Sequence, residues 1–284
     1  MKQPAVLNNS GFFPFARYTS VVGVHTTLLT FTALFLPRTT FLFEFAKPLL
    51  DPESLTSRDR PQHPFLEALT ISPVSTLACL CGGAILLQGW WGGWMRDWSV
   101  DYSLEGSAEE KMVAKKNIEK KRLSALGKAW LTTFATSPVL HVVLVLFGAP
   151  LASHIVQTYL LALLISILVV FPPAYSLGPF TLANDSQSVV TRMTWVRLFA
   201  EFSIRTPIER AFVYPAIGTT LGCWLGVIPI ALDWDRPWQA WPLTPTFGAI
   251  SGYIIASMFA LTASATNIMA DEHIRSLNID KKIT

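Results

Sequence analysis

Six apolar runs, each close to the length of a bilayer's hydrocarbon core, constrain this chain before anything else. They lie at about 18–36, 71–95, 130–149, 151–171, 208–231 and 243–265. A helix needs about 20 mostly apolar residues to cross that core. Only 14% of the 284 residues are charged, against about 25% in a soluble domain. The expected fold is therefore all-α, one polytopic membrane domain over 1–284 with six transmembrane helices. The first run follows Arg17 and has no short apolar core with a small-residue cleavage site, so it reads as a retained span.

Several ends are marked locally. Pro37 and Arg38 stop the first run, the cluster GWWGGWMRDW ends the second, and Pro172-Pro173 breaks the fourth. The fifth opens on Thr206-Pro207-Ile208-Glu209, an N-cap with proline at the first helical position and glutamate at the third.

Charge placement sets the orientation. Lys and Arg number seventeen over the N-terminus, the second and fourth loops and the tail, and five over the first and fifth loops. The positive-inside bias then puts both termini and the loop 96–127 in the cytosol, with loops 37–70 and 232–242 on the lumenal side. The C-terminal KKIT fits this, since Lys281 and Lys282 resemble a dilysine retrieval signal read from the cytosol. The sequons at Asn8 and Asn184 fall on the cytosolic side and are expected to carry no glycan. Net charge is only +3, and the one strongly basic run, Lys111 to Arg122, lies between spans, which argues against a nucleic-acid partner. That run is expected on a helix, either solvated or held to anionic lipid. In the fourth loop Arg197, Glu201 and Arg205 recur every four residues among Met193, Val196, Phe199 and Phe202, the pattern of a helix lying in the interface.

Catalytic chemistry finds little footing. No Walker loop, G-x-S-x-G or H-E-x-x-H occurs. His25, His63, His141, His154 and His273 are scattered, and the first-loop set of His63 with Asp51, Glu53, Asp59 and Glu67 lacks ligand spacing. Cys79, Cys81 and Cys223 read as packing residues. His141 sits inside the third span, either as a neutral imidazole bonded to a neighbouring helix or as a functional group without an acidic partner. No catalytic residue, metal or cofactor is expected.

Two features remain. Gly218, Gly222 and Gly226 form one stripe, and Gly248 and Gly252 begin a second that continues through Ala256, Ala260 and Ser264. Small residues every fourth position let helix backbones approach closely. The stripes either pack on each other or receive a helix from another subunit. The second feature is the knot IALDWDRPWQAWP, from Ile230 to Pro242. Its Asp233, Trp234, Asp235, Arg236, Pro237, Trp238, Trp241 and Pro242 make either a rigid lumenal turn or a site for a lipid headgroup or partner.

The run LDWDRPWQAWP, followed by Gly248 and Gly252-Tyr253, resembles the C-terminal signature of the glycosylphosphatidylinositol biosynthesis class F (Pig-F) family. The likeness is specific over about 204–265 and general elsewhere. It implies an endoplasmic-reticulum protein serving as the small, stabilising, non-catalytic subunit of ethanolamine phosphate transferases. Those enzymes add ethanolamine phosphate to the third and second mannoses of the glycosylphosphatidylinositol precursor. The implied partners are two alternative large subunits that carry the metal-dependent catalysis, together with membrane lipid. The competing reading is a lipid or small-solute transporter or flippase, which would call for internal repeats, broken helices and charges deep in the spans.

Overall fold

A computed structural model describes residues 13–39, 63–104, 107–232 and 234–283, with only the backbone described for Ala108 and 278–283. Asn8, Asp51, Glu53, Asp59 and Asp233 therefore lie outside the described residues, as do the side chains of Lys281 and Lys282, whereas Glu67 lies in the first turn of the helix Pro64–Thr70. No strand occurs among the described residues. The helices are α1 Phe15–Phe35, α2 Pro64–Thr70, α3 Pro73–Ser103, α4 Ala108–Lys120, α5 Arg122–Leu146, α6 Ile155–Val169, α7 Phe171–Leu177, α8 Ser186–Phe199, α9 Pro207–Leu225 and α10 Leu243–Ile283. Among the described residues, six helical segments are long and apolar enough to cross a membrane. They comprise α1, α3, α5, α6 with α7, α9 with the turn that follows it, and α10.

The core is layered along the bundle. In its middle, Leu29 of α1, Leu80 and Ala84 of α3, Leu164 and Leu168 of α6, and Ile250 and Tyr253 of α10 are buried together. At one end Tyr18 and Val22 of α1 meet Trp91, Met95 and Trp98 of α3 and Ile208 and Phe212 of α9. At the opposite end Leu77, Leu161, Cys223 and Leu243 close the core. α5 is the outlier: only Ala129, Thr133 and Ser137 are buried along it. Its small face is tied to α6 by Ser166 Oγ donating to the Thr133 carbonyl at 2.7 Å and by Ser137 Oγ meeting the Tyr159 hydroxyl at 3.1 Å.

Helix ends differ from the sequence reading in instructive ways. The cluster GWWGGWMRDW lies inside α3 and does not end it, because its side chains are used for packing. Trp91, Met95 and Trp98 share one helical face against Tyr18, and Gly92 lets the Phe171 and Tyr175 rings lie close. Pro172-Pro173 opens α7, where the missing N–H groups need no partner. α10 continues past the apolar run to Ile283 as a polar helix. The basic second-loop segment is mostly α4, started by a Ser107–Glu110 capping box.

The interface-helix reading of the fourth loop needs correction. α8 stops at Phe199, and Phe202 takes a left-handed φ of 51°, so Glu201 and Arg205 leave the helical register. Arg197 is bonded across the bend instead. Its guanidinium donates to the Ser203 carbonyl at 2.6 Å and pairs with Glu209 on α9. The start signal at Thr206 appears as read: Thr206 Oγ1 caps the Glu209 N–H and the Glu209 carboxylate returns to the Thr206 N–H.

Candidate functional site

Gly218, Gly222 and Gly226 of α9 lie directly against α10. A Cβ added at Gly222 would overlap the Gly248 carbonyl oxygen, and one at Gly218 would overlap that of Gly252. Gly248 and Gly252 face the Gly222 and Gly218 carbonyls in return. The two stripes thus meet backbone to backbone, the most extensive helix pair among the described residues, while their glycines stay half-buried and line, with Tyr214 and Phe259, an apolar cleft of about 690 Å³. That contact fixes where the chain emerges from α9 and re-enters at α10, and so places the turn between them.

The turn itself is held by backbone conformation and side-chain bonds. After α9 the chain makes a short 3-10 segment, Ile228–Ala231, and a second one, Pro237–Gln239. Asp235 sits between them in the left-handed region at φ 48°, a conformation Asp tolerates better than most. Gln239 then clamps the loop. Its amide donates to the Pro229 and Leu232 carbonyls, each at 2.7 Å, while its Oε1 accepts from the Arg236 N–H at 2.8 Å. Pro242 continues the anchoring, its carbonyl accepting from Thr246 Oγ1 at 2.8 Å.

The tryptophans divide the work. Trp234 is exposed and meets Trp238 edge to face at 5.7 Å. Trp238 shares a shallow apolar cavity of about 330 Å³ with Phe65, Leu66 and Leu69 of α2. Trp241 is directed inward, where its indole N–H donates to Thr158 Oγ1 at 2.9 Å. Thr158 in turn donates to the His154 carbonyl at the start of α6. This chain of bonds brings α6's first turn to the knot, so that His154, Asp235, Arg236, Gln239 and Trp241 line one cavity of about 480 Å³. Asp233, from the sequence motif, lies outside the described residues.

His154, Thr158 and Gln239 were not singled out by sequence. Gln239 lay inside the quoted motif, but nothing in the order of residues shows that one amide holds three backbone groups. His154 and Thr158 are some 80 residues from the turn and carry no local signal.

The other expectations fall elsewhere. His141 is half-buried in α5 with its ring centroid 6.2 Å from that of Tyr159, and its enclosed Nδ1 has no hydrogen-bond partner among the described residues. A bond to a neighbouring helix is thus not seen at that nitrogen. His63 caps α2 through Nδ1, accepting from the Phe65 N–H at 3.2 Å. Among the described residues no group of three or more His, Cys, Asp or Glu side chains is gathered as a metal would require.

The Trp241–Thr158 bond carries a quantitative expectation. Trp241→Phe keeps most of the buried ring and removes one donor, which should cost about 1 kcal/mol. A double-mutant cycle with Thr158→Val, read from thermal unfolding in mild detergent, should return a coupling of about 1 kcal/mol. Strict additivity would mean the bond does not hold the turn to α6.

Comparison with known proteins follows the same boundaries. The family model described as "GPI biosynthesis protein family Pig-F" matches residues 62–261, an interval that contains the glycine pair and the turn. A mouse protein named "GPI ethanolamine phosphate transferase, stabilizing subunit" is 33% identical over 149 residues, 50% of this chain and 63% of its own length. The human protein of that name is 37% identical over 114 residues, 40% of this chain and 47% of its own. A Pyricularia oryzae protein named "Glycosylphosphatidylinositol anchor biosynthesis protein 11" is 41% identical over 135 residues, 48% of this chain and 45% of its own. The matched stretches thus span about half to somewhat under two thirds of these relatives. No solved structure matches the chain.

Proposed function

The chain belongs to the GPI biosynthesis protein family Pig-F, and from that premise we propose that it is a non-catalytic, stabilising subunit of ethanolamine phosphate transferases. The observation that carries this reading is the similarity to the mouse and human proteins named as stabilising subunits of such a transferase. The transfer is to the third and second mannoses of the glycosylphosphatidylinositol precursor, with catalysis in two alternative large partner subunits. The site is the endoplasmic-reticulum membrane, with both termini in the cytosol. The turn Asp233–Pro242 then lies on the lumenal side as the contact for a partner or a lipid headgroup.

The glycines of α9 and α10 meet each other, and in this reading they build the platform that carries the turn.

Depleting the protein and profiling glycosylphosphatidylinositol intermediates by mass spectrometry tests the assignment. Mannosylated precursors lacking ethanolamine phosphate on the later mannoses are expected to accumulate. A normal profile would remove the assignment and return the transporter reading.

A further inference from the structure

We propose that α4 carries a docking face for anionic phospholipid, with Lys116 and Lys120 on the headgroups and Met112 and Val113 beside them against the acyl boundary. α4 is held to the end of α3 by one side only. Lys115 Nζ pairs with Asp101 at 2.7 Å, and Ile118 shares a small enclosed space with Asp97 and Val100 of α3. At the joint with α5, Arg122 reaches Glu119 at 3.4 Å and Asp97 at 3.8 Å. At 100° per residue, Met112, Val113, Lys116 and Lys120 fall within an arc of about 100° centred opposite Ile118. That arc is open. Met112 is 69% and Val113 62% exposed, and neither Lys116 nor Lys120 meets a carboxylate among the described residues.

The neighbouring span sets the depth. α5 opens directly after Lys121, and Leu123, Leu131, Phe134 and Val142 are exposed along one of its faces, Leu123 by 81%, as a surface against hydrocarbon requires. α4 therefore ends where that stripe begins, and its basic face is presented at the height of the headgroups. The charge on the arc is nearly all of one sign. Glu109 is the only carboxylate within it and sits in the first turn, where the positive end of the helix macrodipole favours an acid. In water Met112 and Val113 gain nothing from their exposure. At a bilayer surface they enter the acyl boundary, while the lysine stems lie along it and lift their ammonium groups to the phosphates. An acidic protein segment would satisfy the lysines but leave the two apolar side chains without an apolar phase, so lipid is the occupant that answers both.

The test uses the full-length chain in nanodiscs of dioleoyl phosphatidylcholine, alone or mixed with dioleoyl phosphatidylserine, with amide hydrogen exchange over α4 read by mass spectrometry. Phosphatidylserine is expected to slow that exchange about thirtyfold, a factor of about five for each of the two lysines. The slowing should vanish near about 1 M salt, where screening shortens to about 3 Å. Lys116→Gln with Lys120→Gln should return exchange to its rate in phosphatidylcholine. Lys111→Gln, the same change of charge off the arc, should leave the slowing in place, and exchange over α9 should be the same throughout. Equal exchange in the two lipids, or slowing that the double variant keeps or Lys111→Gln abolishes, would overturn the proposal. Slowing confined to cell-derived membranes would overturn it in favour of an acidic protein partner. Nanodiscs present the same lipid on both faces, so none of these outcomes depends on which side of the membrane α4 occupies or on the subunit assignment.

Discussion

Gly222→Leu should take the α9–α10 pair apart. At this position the α carbon lies so close to the opposite helix that even a methyl group would overlap the Gly248 carbonyl oxygen, with the backbone of Gly252 just behind it. A clash with a flexible side-chain tip can be relieved by a rotamer change, but a clash with backbone moves a helix. Adding methylenes to a well-packed core typically costs 1–3 kcal/mol, and a whole isobutyl group aimed at a carbonyl exceeds that range. A loss of at least ~3 kcal/mol corresponds to a drop of roughly 10 °C in thermal midpoint for a chain of this size. Tryptophan fluorescence in mild detergent would report it, since Trp224, Trp238 and Trp241 all sit around the pair. Gly89→Ala provides the contrast: a Cβ there meets nothing within 4 Å, and replacing a helical glycine by alanine in open space is neutral or stabilising by up to about 1 kcal/mol. Equal behaviour of the two variants would mean the helices are not held backbone to backbone.

That same pair shows how far sequence carries and where it stops. The four-residue spacing of small residues announces close helix contact, because nothing else in lipid makes such a stripe useful. It does not announce the partner. A stripe packed on its neighbour in the chain and one awaiting a helix from another protein have the same spelling, and only the position of Gly248 against Gly222 distinguishes them. The spans themselves were legible because hydrocarbon imposes length and polarity at once. Their ends were less so. Trp91, Met95 and Trp98 belong to the cluster that reads as the end of the second span, and they form a buried face inside α3. The turn was legible as a shape, through its prolines and tryptophans, while the groups that complete its cavity were not. His154 reaches it only because Trp241 bonds to Thr158 across 83 residues of chain, and non-local bonds of that kind leave no period or motif behind.

The fourth loop makes the point with a single carboxylate and yields the second large expectation. The spacing Arg197-x-x-x-Glu201-x-x-x-Arg205 proposes a helix whose charges pair along one face, each pair stabilising it by about 0.2–0.5 kcal/mol. The fold instead hands Arg197 to Glu209. That glutamate accepts from the Arg197 guanidinium, from the Arg205 N–H at 2.6 Å and from the Thr206 N–H at 3.1 Å, so one side chain fastens the end of α8, the linker and the first turn of α9. The Arg197 and Glu209 side chains are only 21% and 12% exposed, which sets this pair apart from surface ion pairs worth about 0–1 kcal/mol. Removing one partner of a buried pair costs about 3–5 kcal/mol because the other charge is stranded. With some water still reaching Arg197, Glu209→Ala should fall at the lower edge, ~3 kcal/mol, and should expose the linker to tryptic cleavage after Arg205. Glu201→Gln, at an exposed position, should change stability by no more than about 0.5 kcal/mol. Thermal unfolding and limited proteolysis of the two variants side by side decide between the arrangements. The reverse order, with Glu201 the costlier loss, would mean that α8 runs on through Arg205 and that the chain does not bend at Phe202.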